Sequence, residues 1–222
     1  MVLELKNVSK GFGKGQTYVE AMKTTTFSIE KGEMVAIIGP SGSGKSTFLT
    51  VAGLLQTPSQ GEIRINNQQV GEMSEKKRAK IRLKEIGFIL QASNLVPFLK
   101  VKDQFKLLAK VNSSHLSSEE LNQELETLGL TKVMNQFPGE LSGGQRQRVA
   151  ILKAIYTNPS IILADEPTAS LDSEKAIEVI KLIQSQAKHR NKAAIVVTHD
   201  TRLLEYFDKV YEMNDGYLEQ KQ

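Results

Sequence analysis

Three short stretches of the chain are apolar at every position: Val35–Ile38, Ile161–Ala164 and Ala194–Val197. A strand that alternates apolar and polar residues is covered on one face. A strand that is apolar throughout is covered on both, as in parallel sheets. A helical pattern follows each stretch, over Lys45–Leu55, Ser173–Ala187 and Arg202–Tyr206. This strand-then-helix repetition predicts an α/β fold around a parallel sheet. Ahead of Val35 the texture changes. Leu3–Val8 and Thr24–Ile29 partly alternate, with Gly11, Gly13 and Gly15 between them, and Gly61–Ile65 continues in that style. These predict a small antiparallel layer. Downstream, Val210–Met213, an Asn-Asp-Gly turn and Tyr217–Leu218 predict a hairpin.

The middle of the chain, from Ala92 to Pro138, is polar and helix-rich, with Pro97 and Pro138 near its edges. Ser117-Ser-Glu-Glu120 has the composition of a helix start ahead of Leu121, Leu125 and Leu128. A helical insertion into the α/β core accounts for this better than a second domain. The expected division is a core lobe of residues 1–91 and 159–222 with a helical subdomain over about 92–158.

Composition narrows the chemistry. The 222 residues are 40% hydrophobic and suffice for one domain with its own core. There is no cysteine, which removes thiol nucleophiles, Cys-ligated zinc and iron–sulfur clusters together. Three histidines argue against a His-rich metal cluster. No apolar run approaches the ~18–20 residues that span a bilayer, and Met1–Lys6 lacks a signal pattern. The expectation is a soluble cytosolic protein whose membrane role, if it has one, comes through a partner. With 29 basic and 25 acidic residues, the charge is too balanced to argue for nucleic acid.

Candidate chemistry starts at Gly39-Pro-Ser-Gly-Ser-Gly-Lys-Ser-Thr47, which fits the phosphate-loop pattern of Gly, four residues, Gly, Lys, Ser/Thr. It lies between a predicted strand and a predicted helix, where the pattern has physical meaning. Around Gly39, Ser41, Gly42, Ser43 and Gly44, backbone N–H groups can converge on an anion, and the helix N-terminus adds partial positive charge. Lys45 is expected to reach the β- and γ-phosphates, Ser46 to ligate Mg²⁺, and Thr47 to complete the loop. The strand Ile161–Ala164 ends in Asp165 and Glu166. Asp165 is placed to hold the Mg²⁺ shell, and Glu166 to orient and deprotonate a water. Leu141-Ser142-Gly143-Gly144-Gln145 opens a further helical pattern, Gln145–Tyr156, as a second phosphate-facing N-terminus; the plainer reading is a helix cap at Ser142. One nucleotide does not need two such termini. Two copies of the chain, each giving one element to a shared nucleotide, do account for them.

With these elements in this order, the sequence resembles the ATP-binding subunits of ABC transporters over nearly its whole length. The resemblance implies a P-loop ATPase with a parallel-sheet core, a small antiparallel β layer and an inserted helical subdomain. It implies ATP and Mg²⁺ as cofactors. It makes Gln91, after the strand Ile86–Leu90, a glutamine that touches Mg²⁺ and water, and His199 the histidine that contacts the γ-phosphate. Alone, His199 reads more readily as a strand-end cap, and the accompanying motifs turn the reading. Ser170-Leu171-Asp172 resembles the segment that crosses the dimer interface, and Phe12 stands where an aromatic stacks on adenine; its alternative is a hydrophobic anchor. His115 and His189 have no assigned role. Glu75–Lys84, with six Lys/Arg, reads as a solvated helix face. Leu95-Val-Pro-Phe-Leu99 is apolar enough to be a docking surface for a membrane subunit or packing for the helical lobe.

The resemblance further implies a head-to-tail dimer around two Mg·ATP, driving a separate permease from the cytoplasmic face of the membrane, with no nucleic-acid partner. Ala164–Asp172 resembles the branch that serves lipoprotein release, macrolide or peptide export and heme export. Gln91–Val101 and Asp200–Tyr206 are most similar to heme exporters, which makes heme or another hydrophobic or toxic compound the expected cargo. The alternative is a cell-division ATPase whose membrane partner moves nothing and regulates wall hydrolases.

Overall fold

The computed structural model describes residues 1–169 and 171–221. Among these, ten strands form two sheets. β1 (Leu3–Phe12), β2 (Val19–Ile29), β4 (Gln60–Ile65) and β5 (Gln68–Gln69) make an antiparallel sheet in the order β2-β1-β4-β5. The other sheet has the order β10-β9-β3-β8-β7-β6. It is built from β3 (Met34–Ile38), β6 (Ile86–Ile89), β7 (Ile161–Asp165), β8 (Ala193–Val197), β9 (Lys209–Asn214) and β10 (Tyr217–Gln220). Five of its strands run parallel, and only β10 is antiparallel.

The all-apolar strands are covered on both faces, and alternate residues serve two separate cores. Val35 and Ile37 of β3, Ile161 and Leu163 of β7, and Ala193, Ile195 and Val197 of β8 face one core. It is shared with the antiparallel sheet and with α1 (Lys45–Ala52), whose Phe48 meets Phe27 edge-on at 5.2 Å. Met34 and Ala36, Ile162 and Ala164, and Ala194 and Val196 face the other. That core holds α3 (Val101–Val111), α4 (Ser118–Thr127), α5 (Gly143–Tyr156) and α6 (Ser173–His189). A one-residue slip of β3 would exchange Val35 and Ile37 with Met34 and Ala36 between unlike cores, which pins the register.

Several boundaries differ from expectation. β1 and β2 run on through Phe12 and from Val19, so the connection between them shrinks to residues 13–18, which keep Gly13 and Gly15 and a 3-10 turn at Gly15–Thr17. The first core helix ends at Ala52 rather than Leu55, and Thr201–Tyr206 is a 3-10 helix. β6 stops at Ile89, two residues before Gln91. The hairpin of β9 and β10 is also an edge of the main sheet, because β9 pairs with β3. α2 (Glu75–Glu85) has no buried residue, as expected for a solvated helix. No helix among the described residues is long and apolar enough to cross a membrane.

Candidate active site

The ends of β3, β7 and β8 lie side by side in the sheet, so the loops that follow them open at one edge. This is where open parallel sheets bind ligands. A cavity of about 350 Å³ there is lined by Gly39, Ser41, Gly42, Gly44, Lys45, Ser46 and Thr47 after β3, by Asp165 and Glu166 after β7, and by His199 after β8. Ala21 and Val197, neither of them expected from the sequence, complete the wall.

Two glycines of the loop have no substitute. At Gly39, φ is 143° and a Cβ would lie 2.1 Å from the carbonyl oxygen of Met213. At Gly44, φ is 108° and a Cβ would lie 2.3 Å from that of Ala21. The loop is therefore pressed against β2 on one side and β9 on the other. Ser43 is buried beneath it; its carbonyl accepts from Gly216 N–H at 2.9 Å, and its hydroxyl has no partner among the described residues.

Lys45 is 8% exposed and folds back over its own loop, Nζ donating to Gly39 O at 2.8 Å and to Pro40 O at 2.7 Å. It places a positive charge against the backbone of the loop at the cavity wall. Ser46 Oγ donates to Asp165 Oδ2 at 3.4 Å. Burial holds the Asp165 carboxyl above its ordinary range, opposed by the Ser46 hydrogen bond and reinforced by the neighbouring Glu166 charge. A hydroxyl and a carboxylate on one spot beside a phosphate loop are the hard oxygen donors that Mg²⁺ accepts, with phosphate oxygens and water completing its shell. The residues therefore fit that ion.

Glu166 adopts the left-handed region, φ 45°, unusual for a carboxylate residue and costly enough to point to a constrained site. Its N–H donates to Val197 O at 3.0 Å, tying the end of β7 to β8. His199 Nδ1 lies 3.2 Å from Glu166 Oε1. Behind the turn, Gln147 of α5, buried at 5% exposure, donates to Pro167 O at 2.7 Å. Gln147 was not expected to act here. Its one sequence signal is a polar side chain on the apolar face of a helix.

The other expected site residues lie outside this cavity. Phe12 ends β1, half-exposed, with Lys10 Nζ 5.0 Å from its ring centre. Gln91 is exposed in the bend after β6. Ser142 caps α5 in a reciprocal box: its hydroxyl accepts from Gln145 N–H at 3.2 Å, and Gln145 Oε1 accepts from Ser142 N–H at 2.9 Å. The cap reading at Ser142 is thus realised, and Ser142 and Gly143 remain exposed, with Gly144 and Gln145 half-buried. Asp172 caps α6 through Lys175 N–H and pairs with the Lys175 ammonium, which holds its carboxyl below the ordinary range. Ser170, which precedes it in the expected interface segment, lies outside the described residues.

Residues 22–169 match the family described as ABC transporter. A protein of Staphylococcus saprophyticus with the provisional name hemin import ATP-binding protein HrtA is 47% identical over 222 residues, spanning 98% of this chain and 99% of its own. Its namesake in Staphylococcus aureus is 42% identical over 218 residues, spanning 97% and 98%. Among solved structures, the ATP-binding cassette MJ0796, dimeric in a post-hydrolysis state with ADP and Pi, superposes with a TM-score of 0.87 at 36% identity over 99% of both chains. With a phosphate loop, two strand-end carboxylates and a histidine around one cavity, and these relatives over its full length, the chain belongs to the ABC transporter family as one of its ATPase cassettes.

Proposed function

We propose that two copies of this chain close head to tail around two Mg·ATP and thereby drive a separate membrane permease for heme. The reading is carried by one observation: Lys45, Ser46, Asp165, Glu166 and His199 converge on a single cavity, while Ser142–Gln145 lies outside it, with Ser142 and Gly143 exposed. The second element then serves the nucleotide of a neighbour, in line with the dimeric state given for MJ0796. Phe12 stacks on the adenine, Asp172 lies at the interface of the two copies, and Gln91 links the nucleotide site to the permease. The complex sits at the cytoplasmic face of the membrane.

In this reading Lys45 leaves the carbonyls of Gly39 and Pro40 for the β- and γ-phosphates, exchanging neutral acceptors for charged ones. A Mg²⁺ ion held by Ser46, Asp165 and Gln91 would offset the charge that develops on the phosphate oxygens. Glu166 orients the attacking water and takes its proton on the carboxylate oxygen that does not face His199. His199 fixes the other oxygen and reaches the γ-phosphate.

Heme as cargo rests on the relatives at 42–47% identity. Their names say import, whereas Gln91–Val101 and Asp200–Tyr206 resemble exporters, and export is the direction we infer. Cells lacking the chain should become sensitive to added hemin if it exports. They should instead fail to grow on hemin as iron source if it imports, and an unchanged response to hemin in both assays would remove heme from the proposal. For the dimer, Ser142→Arg should leave ATP binding to the monomer intact and abolish ATP-dependent dimerisation by light scattering. Normal dimerisation would refute the shared site.

A further inference from the structure

Between α4 and α6 a second cavity opens, of about 540 Å³, separate from the one lined by Lys45 and Asp165 and with Gly144 of the Ser142–Gln145 element and Leu171 on its wall. This is within the size range of small-molecule sites. One wall is a single face of α6, on which Lys175, Val179, Leu182 and Ser185 recur at helical spacing. Leu128, just past α4, and Leu171 supply apolar surface opposite, and Arg148 of α5 closes one end.

Arg148 sets this cavity apart. The chain has seven arginines. Six of them bind a side chain or carbonyl: Arg64, Arg78, Arg82, Arg146, Arg190 and Arg202. Arg148 has no hydrogen bond or ion pair among the described residues, and its Nε is buried without a partner. A guanidinium facing apolar side chains is costly unless an anion meets it. The two lysines at the cavity are engaged elsewhere, Lys175 with Asp172 and Lys181 over the Tyr206 ring. Glu178, on the exposed rim one turn from each lysine, is the only acid lining the cavity. The far end of the seam is already latched, Arg190 binding Glu124 at 2.8 Å and Glu120 at 3.3 Å. The open end therefore pairs an apolar trough with one unmatched cation.

We propose that this seam binds an anionic single-chain amphiphile, its carboxylate or phosphate headgroup on Arg148 and its tail along Leu128, Leu171, Val179 and Leu182. The site goes beyond the ATPase reading and does not depend on it.

Titration calorimetry of the full chain below micelle-forming concentrations tests this, with laurate, dodecyl phosphate, inorganic phosphate and dodecyl maltoside as probes. Saturable binding of one laurate or one dodecyl phosphate per chain is expected, with none for inorganic phosphate or the maltoside. Tighter laurate points to a free fatty acid as occupant, and tighter dodecyl phosphate to a lipid-type headgroup. Arg148→Gln should weaken the anionic amphiphiles at least tenfold, and Ser185→Trp, which fills the trough, should abolish them. ATP affinity of the monomer, which rests on Lys45 and its loop, should stay at the parent value in both variants, which separates lost binding from lost folding. Absence of saturable binding, equal binding of the maltoside, or an unchanged affinity in Arg148→Gln overturns the proposal.

Discussion

His199 Nδ1 stands 3.2 Å from Glu166 Oε1, the two side chains arriving from the ends of adjacent parallel strands. Glu166 itself sits at φ 45°, so its direction is imposed by the backbone rather than chosen by its rotamer alone. A general base contributes about 10²–10⁴-fold. Glu166→Gln should therefore lower the steady-state ATPase rate by that order while ATP affinity stays within a few-fold of the parent. Equal turnover would remove Glu166 from the chemistry.

Lys45 offers a different signature. Its ammonium is held only by carbonyls at the cavity wall, so it is poised for a stronger, charged acceptor. Lys45→Ala should weaken ATP binding at least tenfold by equilibrium titration. It should also shift the apo protein's denaturation midpoint little, because the two carbonyls lie at a solvent-lined cavity. An unchanged ATP affinity would contradict the placement of the phosphates.

The phosphate loop allows strain to be separated from collision. Gly42 has φ 79° with open space around a would-be Cβ, whereas at Gly44 that Cβ would strike Ala21 O at 2.3 Å. Gly42→Ala should cost only the left-handed conformation, about 1–2 kcal/mol. Gly44→Ala should cost more in urea denaturation and should also lose nucleotide binding. Equal losses would mean that the loop yields at β2.

Lys192 predicts a stability profile. It is 5% exposed, with Nζ donating to Asn158 Oδ1 and Pro159 O and no carboxylate bonded to it. Burial, with Arg190 adding repulsion, pushes its pKa down from 10.5 to about 8. Above pH 8 the folded chain sheds this proton while the unfolded chain keeps it until about 10.5, so stability rises with pH across that window. From pH 7.5 to 9.5 the parent should gain about 2 kcal/mol relative to Lys192→Met in paired urea denaturations. A constant difference would show that the ammonium is not disfavoured in the fold.

The sheet and phosphate loop were readable because their signals are local. An all-apolar run bounded by turn residues has few fates other than a doubly covered strand. Gly39–Thr47 carries its own anion-binding geometry in consecutive positions. Longer-range features were hidden. Val210–Met213 announced a hairpin, but its pairing with β3 depends on tertiary placement that no pattern in the segment encodes. Ala21 reaches the cavity wall only because β2 crosses beneath the loop. Gln147 touches Pro167 through a contact between distant segments. Leu54, at φ 58°, ends the helix early where periodicity alone carried it on to Leu55.

The hydrogen bond from Gly216 to Ser43, and the closeness of Met213 to Gly39, mean that the phosphate loop is moulded by strand β9 and the turn after it. During synthesis those residues leave the ribosome long after the loop itself. A nascent chain therefore holds Gly39–Thr47 without that backing until the edge of the sheet has been laid down, and the loop takes its final shape only when the last strands close.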